Sequence, residues 1–400
     1  MPSSIRKALN ELPVTLDDTY ERILQGIPKE KFEHASRLFQ CMVAALRPLR
    51  VEELAEIFAI EIGPNAAPNL VEDWRPENPA EAVLSTCSTL ITIIDFDDND
   101  DSDLGHDLDK GSKIVKFSHF SVKEFLTSDR LQTSNVGDIR PYYTALEPAH
   151  LILAQACMTV LLQLVEKEDE ERFRALPLAS YATGNWVMHA KFQDVASRIQ
   201  DSLAYLFNPK SRHCVPSVLL RGVLKAYSGT IRNFHSELEP MTPLYLAAYS
   251  GFSGLVKHLI IMHAPDVNEK LNDGYAPLHG ASWNGHVDSA CILLHHGADM
   301  NAGGYNDYTP LHLASQYGRI EFTRLLLERK AIVNAQTKFR VTPLYLALRE
   351  GHLEVVRLLL DHGADVTIQG DGDLTLYQVA SRLEYHEVAQ LLLERGADGE

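Results

Sequence analysis

Residues 309–334 read TPLHLASQYGRIEFTRLLLERKAIVN. The same pattern runs as APLHGASWNGHVDSACILLHHGADMN from Ala276 and as TPLYLALREGHLEVVRLLLDHGADVT from Thr342. Pro243, Pro277, Pro310 and Pro343 follow one another at 34, 33 and 33 residues, and Gly251, Gly285, Gly318 and Gly351 keep step with them. A fixed period of this size, with one proline and one glycine held in register, marks a repeat array.

The spelling of one unit has a physical reading. The Thr309 hydroxyl caps a helix, and Pro310 takes the first helical position, where a missing N–H costs nothing. Leu311, Leu313 and Ala314 give this short helix its packing side, and Gly318 ends it with an expected positive φ. A second helix follows, with Ile320, Phe322, Leu325, Leu326 and Leu327 on one broad apolar face. Gly-Ala-Asp, at Gly297–Asp299 and Gly363–Asp365, closes that helix and turns the chain into an extended hairpin. Neither helix can bury its face alone, so the units must stack.

These residues closely resemble the ankyrin repeat. The resemblance runs from Thr242 to Glu400 in about five units, starting near 242, 276, 309, 342 and 375. The fifth is degenerate: Thr375-Leu376-Tyr377 replaces Thr-Pro-Leu and Glu384 replaces the turn glycine, before Gly396-Ala397-Asp398 restores the pattern. Its outer helix carries Val388, Leu391, Leu392 and Leu393 where a terminal cap should turn polar, so the array reads as cut at this end.

Four hundred residues, 45% hydrophobic and 23% charged, leave room for several globular cores. A net charge of −17 argues against a nucleic-acid or anionic-membrane surface, which needs clustered Lys and Arg. Cys41, Cys87, Cys157, Cys214 and Cys291 are scattered without metal spacing and read as reduced thiols of a cytoplasmic protein, with a nuclear location open. MPSSIRKALNELP has no apolar core of the signal-peptide kind, and the apolar run 149–164 is too short to span a bilayer.

From the start, the pattern gives a short helix, a break at Pro13 and a second helix from about Thr15 with Leu16, Tyr20, Ile23 and Leu24 on one side. Helices follow over 30–46, after Pro48 and from Ala80; then come two extended runs, 90–96 and 113–117, separated by an acidic loop. A helix begins near Phe120. Three helices and a two-stranded wing is the order of a winged-helix domain. From 136 to 235 the chain reads as an irregular helical connector, with amphipathic helices at 149–165 and 192–207 and Trp186-Val187 between them.

ELPVTLDDTYERIL, ALRPLRVEELAEIFAI, VLSTCSTLITI, VKFSHFSVKEFLTSDRL and AHLILAQACMTVLL, spread over residues 5–208, resemble the region that follows the NACHT nucleotide-binding domain in fungal NLR-like (STAND) proteins. A similar winged helix occurs in fungal proteins labelled GPI inositol-deacylase-like. The resemblance implies a helical linker over 1–30, a winged helix over 31–135, a connector over 136–235 and ankyrin repeats over 236–400. It also implies a signalling role, sensing or incompatibility among the candidates. The departure is that no GxxxxGK[ST] phosphate loop is present; Asp109-Lys110-Gly111-Ser112 lacks the glycine spacing. No ATP binding is expected of this chain, which reads as a NACHT-less relative or part of a larger product.

Several polar features are candidate sites. His119, with Glu124 and Phe125, matches a pattern in which the family's winged-helix histidine faces a nucleotide phosphate; this applies only if a NACHT domain is supplied, and otherwise His119 caps or packs a helix start. The acidic run Asp95–Asp109 has Asp100 and His106 where a calcium loop needs Gly and Glu, so a solvated wing tip is expected. The helix from Ala80 to Leu90 contains no Lys or Arg to anchor DNA. No GxSxG elbow appears, and His386-Glu387-Val388-Ala389-Gln390 lacks the second histidine of a zincin. His295-His296 reads as a helix end, and His279 and His312 as structural hydrogen-bonding residues of the repeat. No catalytic residue, metal or cofactor is expected.

The remaining candidate is the concave face of the array. Binding there uses hairpin tips and the pair before each turn glycine: Tyr249, Tyr275, Trp283, Asn284, Tyr305, Tyr308, Gln316, Tyr317, Phe339, Arg340 and Arg349. Aromatics and Arg anchor interfaces. Trp283→Ala and Tyr308→Ala are expected to leave the fold intact and weaken a partner. The expected protein is thus mainly α and non-enzymatic: a winged helix, a helical connector and an ankyrin solenoid, acting as the sensing and scaffold half of a fungal NLR-like protein. The alternatives are a regulatory subunit docking in trans on a separate NACHT NTPase, and a simple ankyrin adaptor.

Overall fold

The computed structural model describes residues 15–62, 69–96, 111–134, 137–166, 173, 175–208, 241–368 and 374–397. The expected helix before Pro13, the acidic loop beyond Phe96, Cys214 and the connector from 209 lie outside them. The described residues divide into two compact units, one up to Ser202 and one comprising 203–208 and 241 onward.

In the first unit, α1 (Leu16–Gln25) begins at a reciprocal cap: Asp18 N–H donates to Thr15 Oγ1 at 3.1 Å and Thr15 N–H to Asp18 Oδ2 at 3.2 Å. Such a cap satisfies two otherwise orphaned donors. Its Tyr20 and Leu24 are buried. Next come α2 (Phe32–Ala44), α3 (Val51–Phe58) and a small antiparallel pair, β1 (Ile60–Glu61) with β2 (Asn69–Leu70). Then α4 (Pro79–Cys87) starts on the Asn78 side chain, which accepts from Glu81 N–H at 3.2 Å. The hairpin β3 (Ile91–Asp95) and β4 (Lys113–Phe117) follows, pairing Ile91 with Phe117 and Asp95 with Lys113. The segment just before α3 meets it through an isolated bridge, Arg50 opposite Ile114, with Val115 N–H donating to Leu49 O at 3.0 Å. Three helices and a hairpin thus stand in the expected order, and α5 (Phe120–Leu126) and α6 (Asp129–Thr133) complete it.

The apolar floor of this unit is α7 (Leu146–Glu166) against α8 (Ala179–Ala190) and α2. One sequence expectation is extended here and one is corrected. Trp186 and Val187, between the two expected helices, sit inside a further helix, α8, fully buried. Residues 192–207 do not form one helix: Ile199 leaves helical geometry (φ −111°, ψ 16°) while burying its side chain, which separates Val195–Arg198 from Gln200–Leu206.

A buried polar chain crosses this core. Glu53 is fully buried and accepts from Arg47 Nη1 and Nη2 at 2.8 and 2.6 Å, from Arg50 Nε at 3.1 Å and from Arg50 N–H at 2.8 Å. The Arg47 guanidinium lies 4.9 Å from the Tyr181 ring centre. Leu46 N–H donates to the Tyr181 hydroxyl, which lies 2.8 Å from His189 Nε2, and His189 Nδ1 is 2.8 Å from His150 Nδ1. Burial holds both histidines below the ordinary range.

In the second unit the paired helices recur as expected: α9 (Pro243–Ser250) and α10 (Ser253–His263), α11 (Pro277–Asn284) and α12 (Val287–His295), α13 (Pro310–Gln316) and α14 (Ile320–Glu328), α15 (Pro343–Arg349) and α16 (Leu353–Asp361), α17 (Leu376–Arg382) and α18 (His386–Glu394). Each inner helix packs on the next inner helix, and the outer helices of the first four repeats follow suit. Thr242, Thr309, Thr342 and Thr375 cap as read; Ala276 has no side-chain oxygen to do so, and its helix start keeps the Ala276 N–H donating to His279 Nδ1 at 3.1 Å, a bond that Thr309 also makes to His312.

The turn glycines do two jobs. Gly318 has φ +65°, and a Cβ there would meet the His352 ring at 2.6 Å. The ring sits there to cap the preceding helix, its Nε2 donating to Gln316 O at 3.0 Å. Arg319 does the same one repeat earlier, with Nε on Trp283 O at 2.9 Å. Gly318→Val is therefore expected to cost about 2 kcal/mol, from backbone strain and loss of this cap. Urea unfolding of the full chain checks it; an unchanged midpoint would show that the cap carries nothing.

Of the apolar residues of α18, Val388 and Leu392 are fully buried, Leu391 is half-buried and Leu393 is exposed at 37%. The helix packs on α17, and Arg395 ties the unit to the fourth repeat by donating to Leu360 O at 2.7 Å.

Candidate functional site

The repeat histidines come first because they set the face. In α13, Thr309 N–H donates to His312 Nδ1 at 3.1 Å, so the proton sits on Nε2, which donates to Val341 O at 3.0 Å in the next hairpin. His279 likewise donates from Nε2 to Ala302 O and Tyr308 O, at 2.9 and 3.1 Å. Each histidine ties its own helix start to the following hairpin. Burial brings both down to about 4.

A second ladder was not anticipated from the sequence. Asn268, Asn301 and Asn334 recur at 33 residues, and their Oδ1 atoms accept the backbone N–H of Asp299, Ile332 and Asp365 at 2.8, 2.9 and 2.8 Å. The signal was present in the same period that located the prolines. These bonds hold successive hairpins in line.

On that frame the candidate binding residues fall into three depths. Tyr249, Tyr275 and Trp283 form the floor, at 3%, 0% and 2% exposure, so the expectation that Trp283 is a free surface aromatic is corrected. Trp283 stacks on Tyr317 at 4.8 Å between ring centres, and Tyr275 meets it edge-on at 6.4 Å. Stacked and edge-on aromatic pairs add to simple burial. Asn284, Tyr308, Gln316 and Tyr317 lie at middle depth. Asn284 Nδ2 donates to Tyr249 O at 2.9 Å, and the Tyr308 ring lies 5.6 Å from that of His312. Tyr305, Phe339, Arg340 and Arg349 stand exposed at the rim, with Tyr305 at 55% and Phe339 at 59%. Adjacent tips are joined by Lys338 N–H donating to Asn306 O at 3.0 Å. Arg349 leans on Glu350 at 2.8 Å and over the Tyr345 ring at 6.0 Å.

The floor and the rim call for different experiments. Trp283→Ala is expected to destabilise the array by about 3 kcal/mol, the low end for a buried tryptophan because half-buried Tyr317 can settle into the gap. A thermal melt checks this, and a variant as stable as the parent would restore the surface reading.

The other candidates stand apart from this face. His119 is the exposed N-cap of α5; its Nδ1 accepts from Ser121 N–H at 3.3 Å and contacts Ser121 Oγ at 2.6 Å, which in turn is 2.7 Å from the Tyr20 hydroxyl. His295 and His296 are exposed at the end of α12, edge-on to one another. Cys41, Cys87 and Cys157 are buried free thiols and Cys291 is half-buried. Among the described residues, no group of three His, Cys, Asp or Glu side chains could hold a metal ion, and no helix is long and apolar enough to cross a membrane.

Comparison with known proteins adds two findings. One described relative is "Azaphilone pigments biosynthesis cluster protein L" of Monascus ruber, 27% identical over 294 residues, which cover 70% of this chain. The chain spans 58% of that protein's length. Residues 217–304 and 311–400 match the family model for ankyrin repeats, so this part of a mainly helical chain is an ankyrin-repeat array.

Proposed function

We propose that the chain is a non-enzymatic interaction protein that holds a protein partner on the concave side and hairpin tips of its repeats. The observation that carries this is the graded face: Tyr305 and Phe339 exposed at neighbouring tips, over half-buried Tyr308 and Tyr317, over buried Trp283. Exposed aromatics and arginines beside a rigid, desolvated floor are the elements of binding hot spots. The front unit supports a winged-helix reading, with three helices and a hairpin in that order, and hence the role of the sensing half of an NLR-like signalling protein.

A photo-crosslinking residue at Phe339 or Tyr305 is expected to give discrete protein adducts in expressing cells. The same residue at Glu354, exposed on α16, is expected to give none. Equal adducts from both faces would sink the reading.

One observation favours a second, narrower role for the front unit. His119 and Phe120 are exposed side by side at the start of α5, Phe120 at 71%. A separate NACHT domain docking in trans would cover them. Co-purification of such a domain in a nucleotide-dependent manner, lost in His119→Ala, is the expected result; co-purification unaltered in that variant would remove His119 from the docking surface.

A further inference from the structure

The third repeat carries charge against the trend of the chain. Residues 309–341 contain six basic side chains (Arg319, Arg324, Arg329, Lys330, Lys338 and Arg340) and two acidic ones, Glu321 and Glu328. That is a net +4 inside a protein of net −17. The repeats on either side contain more acidic than basic residues. Lys338 and Arg340 are exposed at the hairpin tip, flank exposed Phe339, and form no ion pair among the described residues.

Arg340 is also held in an unfavourable backbone conformation. Its φ is +60°, in the left-handed region. The equivalent positions one and two repeats earlier are Asp307 and Gly274, at φ +64° and +83°. Gly and Asp tolerate that region; a long side chain such as Arg does so at a cost in stability. Strain at an exposed position, beside an unpaired cation and an exposed aromatic, points to a contact role for this tip.

We infer that the Lys338-Phe339-Arg340 tip, with Tyr305 of the neighbouring tip, is a docking point for an acidic segment of a partner protein bearing an aromatic or aliphatic side chain. The apolar anchor lies between the two rings, and its flanking carboxylates meet Lys338 and Arg340, where an Arg fork can take a carboxylate in two parallel bonds. A carboxylate partner fits better than a nucleic acid, because the surrounding protein is strongly acidic and offers no second row of phosphate anchors. The inference rests on the partner-binding reading above and adds to it the chemistry of the partner.

The test is selection of a random phage-displayed peptide library on the full chain, followed by fluorescence anisotropy with the best synthetic peptide. Enriched peptides are expected to place Asp or Glu around one aromatic or aliphatic residue. Lys338→Glu with Arg340→Glu is expected to weaken the peptide roughly a hundredfold, since like charges then face one another. Arg340→Gly is expected to raise the melting midpoint while weakening the peptide, a combination that a structural role for Arg340 would not produce. Peptides without acidic residues, or unaffected by the charge reversal, overturn the inference. If those peptides are instead lost in Arg349→Ala or Tyr317→Ala, the concave-face reading stands and only the tip assignment falls. If no peptide is selected, both fall. A labelled single-stranded oligonucleotide that binds the parent and not the charge-reversed variant overturns the choice of a protein partner.

Discussion

Taking the protein from pH 7 to pH 4 is expected to remove roughly 3 kcal/mol of stability for each of His279 and His312. Both imidazoles are fully buried, and burial lowers them from the ordinary 6.5 to about 4. The unfolded chain therefore takes up protons first as the pH falls. The histidine contribution is complete above about 6.5, declines between 6.5 and 4, and is gone below the folded value. Protonation would leave each ring with a proton on Nδ1, where the structure needs an acceptor for the N–H of Ala276 or Thr309. The chain supplies its own non-titrating control. In the fifth repeat Gln378 occupies the same position and accepts the Thr375 N–H at 3.1 Å through Oε1. His279→Gln with His312→Gln is expected to flatten the pH dependence of repeat unfolding while lowering stability at pH 7 modestly. An unchanged slope in urea melts at pH 7, 5 and 4 would place the acid sensitivity elsewhere.

Arg47→Met is expected to destabilise the front unit by about 3–5 kcal/mol, because it leaves a buried carboxylate short of its main partner. Glu53 has no exposed surface, and Arg47 supplies two of its four hydrogen bonds at 2.8 and 2.6 Å. Arg50 remains, but its side chain contributes a single bond at 3.1 Å. Arg47 also covers the Tyr181 ring, so its loss loosens α8 as well as α3. The double variant Arg47→Met, Glu53→Leu is expected to recover most of the loss, since removing both charges also removes the desolvation cost. Hydrogen exchange of the α3, α7 and α8 amides reads the effect within this unit. Full protection in the single variant would mean that Arg50 alone satisfies Glu53.

The contrast between the two units explains what the sequence could reveal. The repeats were legible because each unit repeats one local solution: cap, proline, short helix, left-handed turn, longer helix. Depth on the concave face was less legible. Trp283 and Tyr275 occupy positions that face outward in register, yet a ring large enough to reach the next repeat folds against Tyr317 and Gly304 and is covered. Exposure there depends on which side chain stands 33 or 34 positions later, a pairing that periodicity does not express. In the front unit α8 escaped notice because ASYATGNWVMHA is small or apolar on nearly all sides, as befits a helix buried all round. Nothing in the spacing of Arg47, Arg50 and Glu53 marks them as one cluster; only the fold brings the two guanidinium groups onto the buried Glu53 carboxylate.

The binding surface proposed for this chain is the tips and inner side of its repeats. It is tested most directly by calorimetric titration of a partner identified by crosslinking at Phe339, using the full chain and its Tyr305→Ala, Phe339→Ala double variant. The two rings are exposed, so the fold should be unaffected, and the Kd is expected to rise roughly a hundredfold, as for two hot-spot side chains. A Kd unchanged in that variant, but raised by Glu354→Ala and Arg357→Ala on α16, would contradict the account.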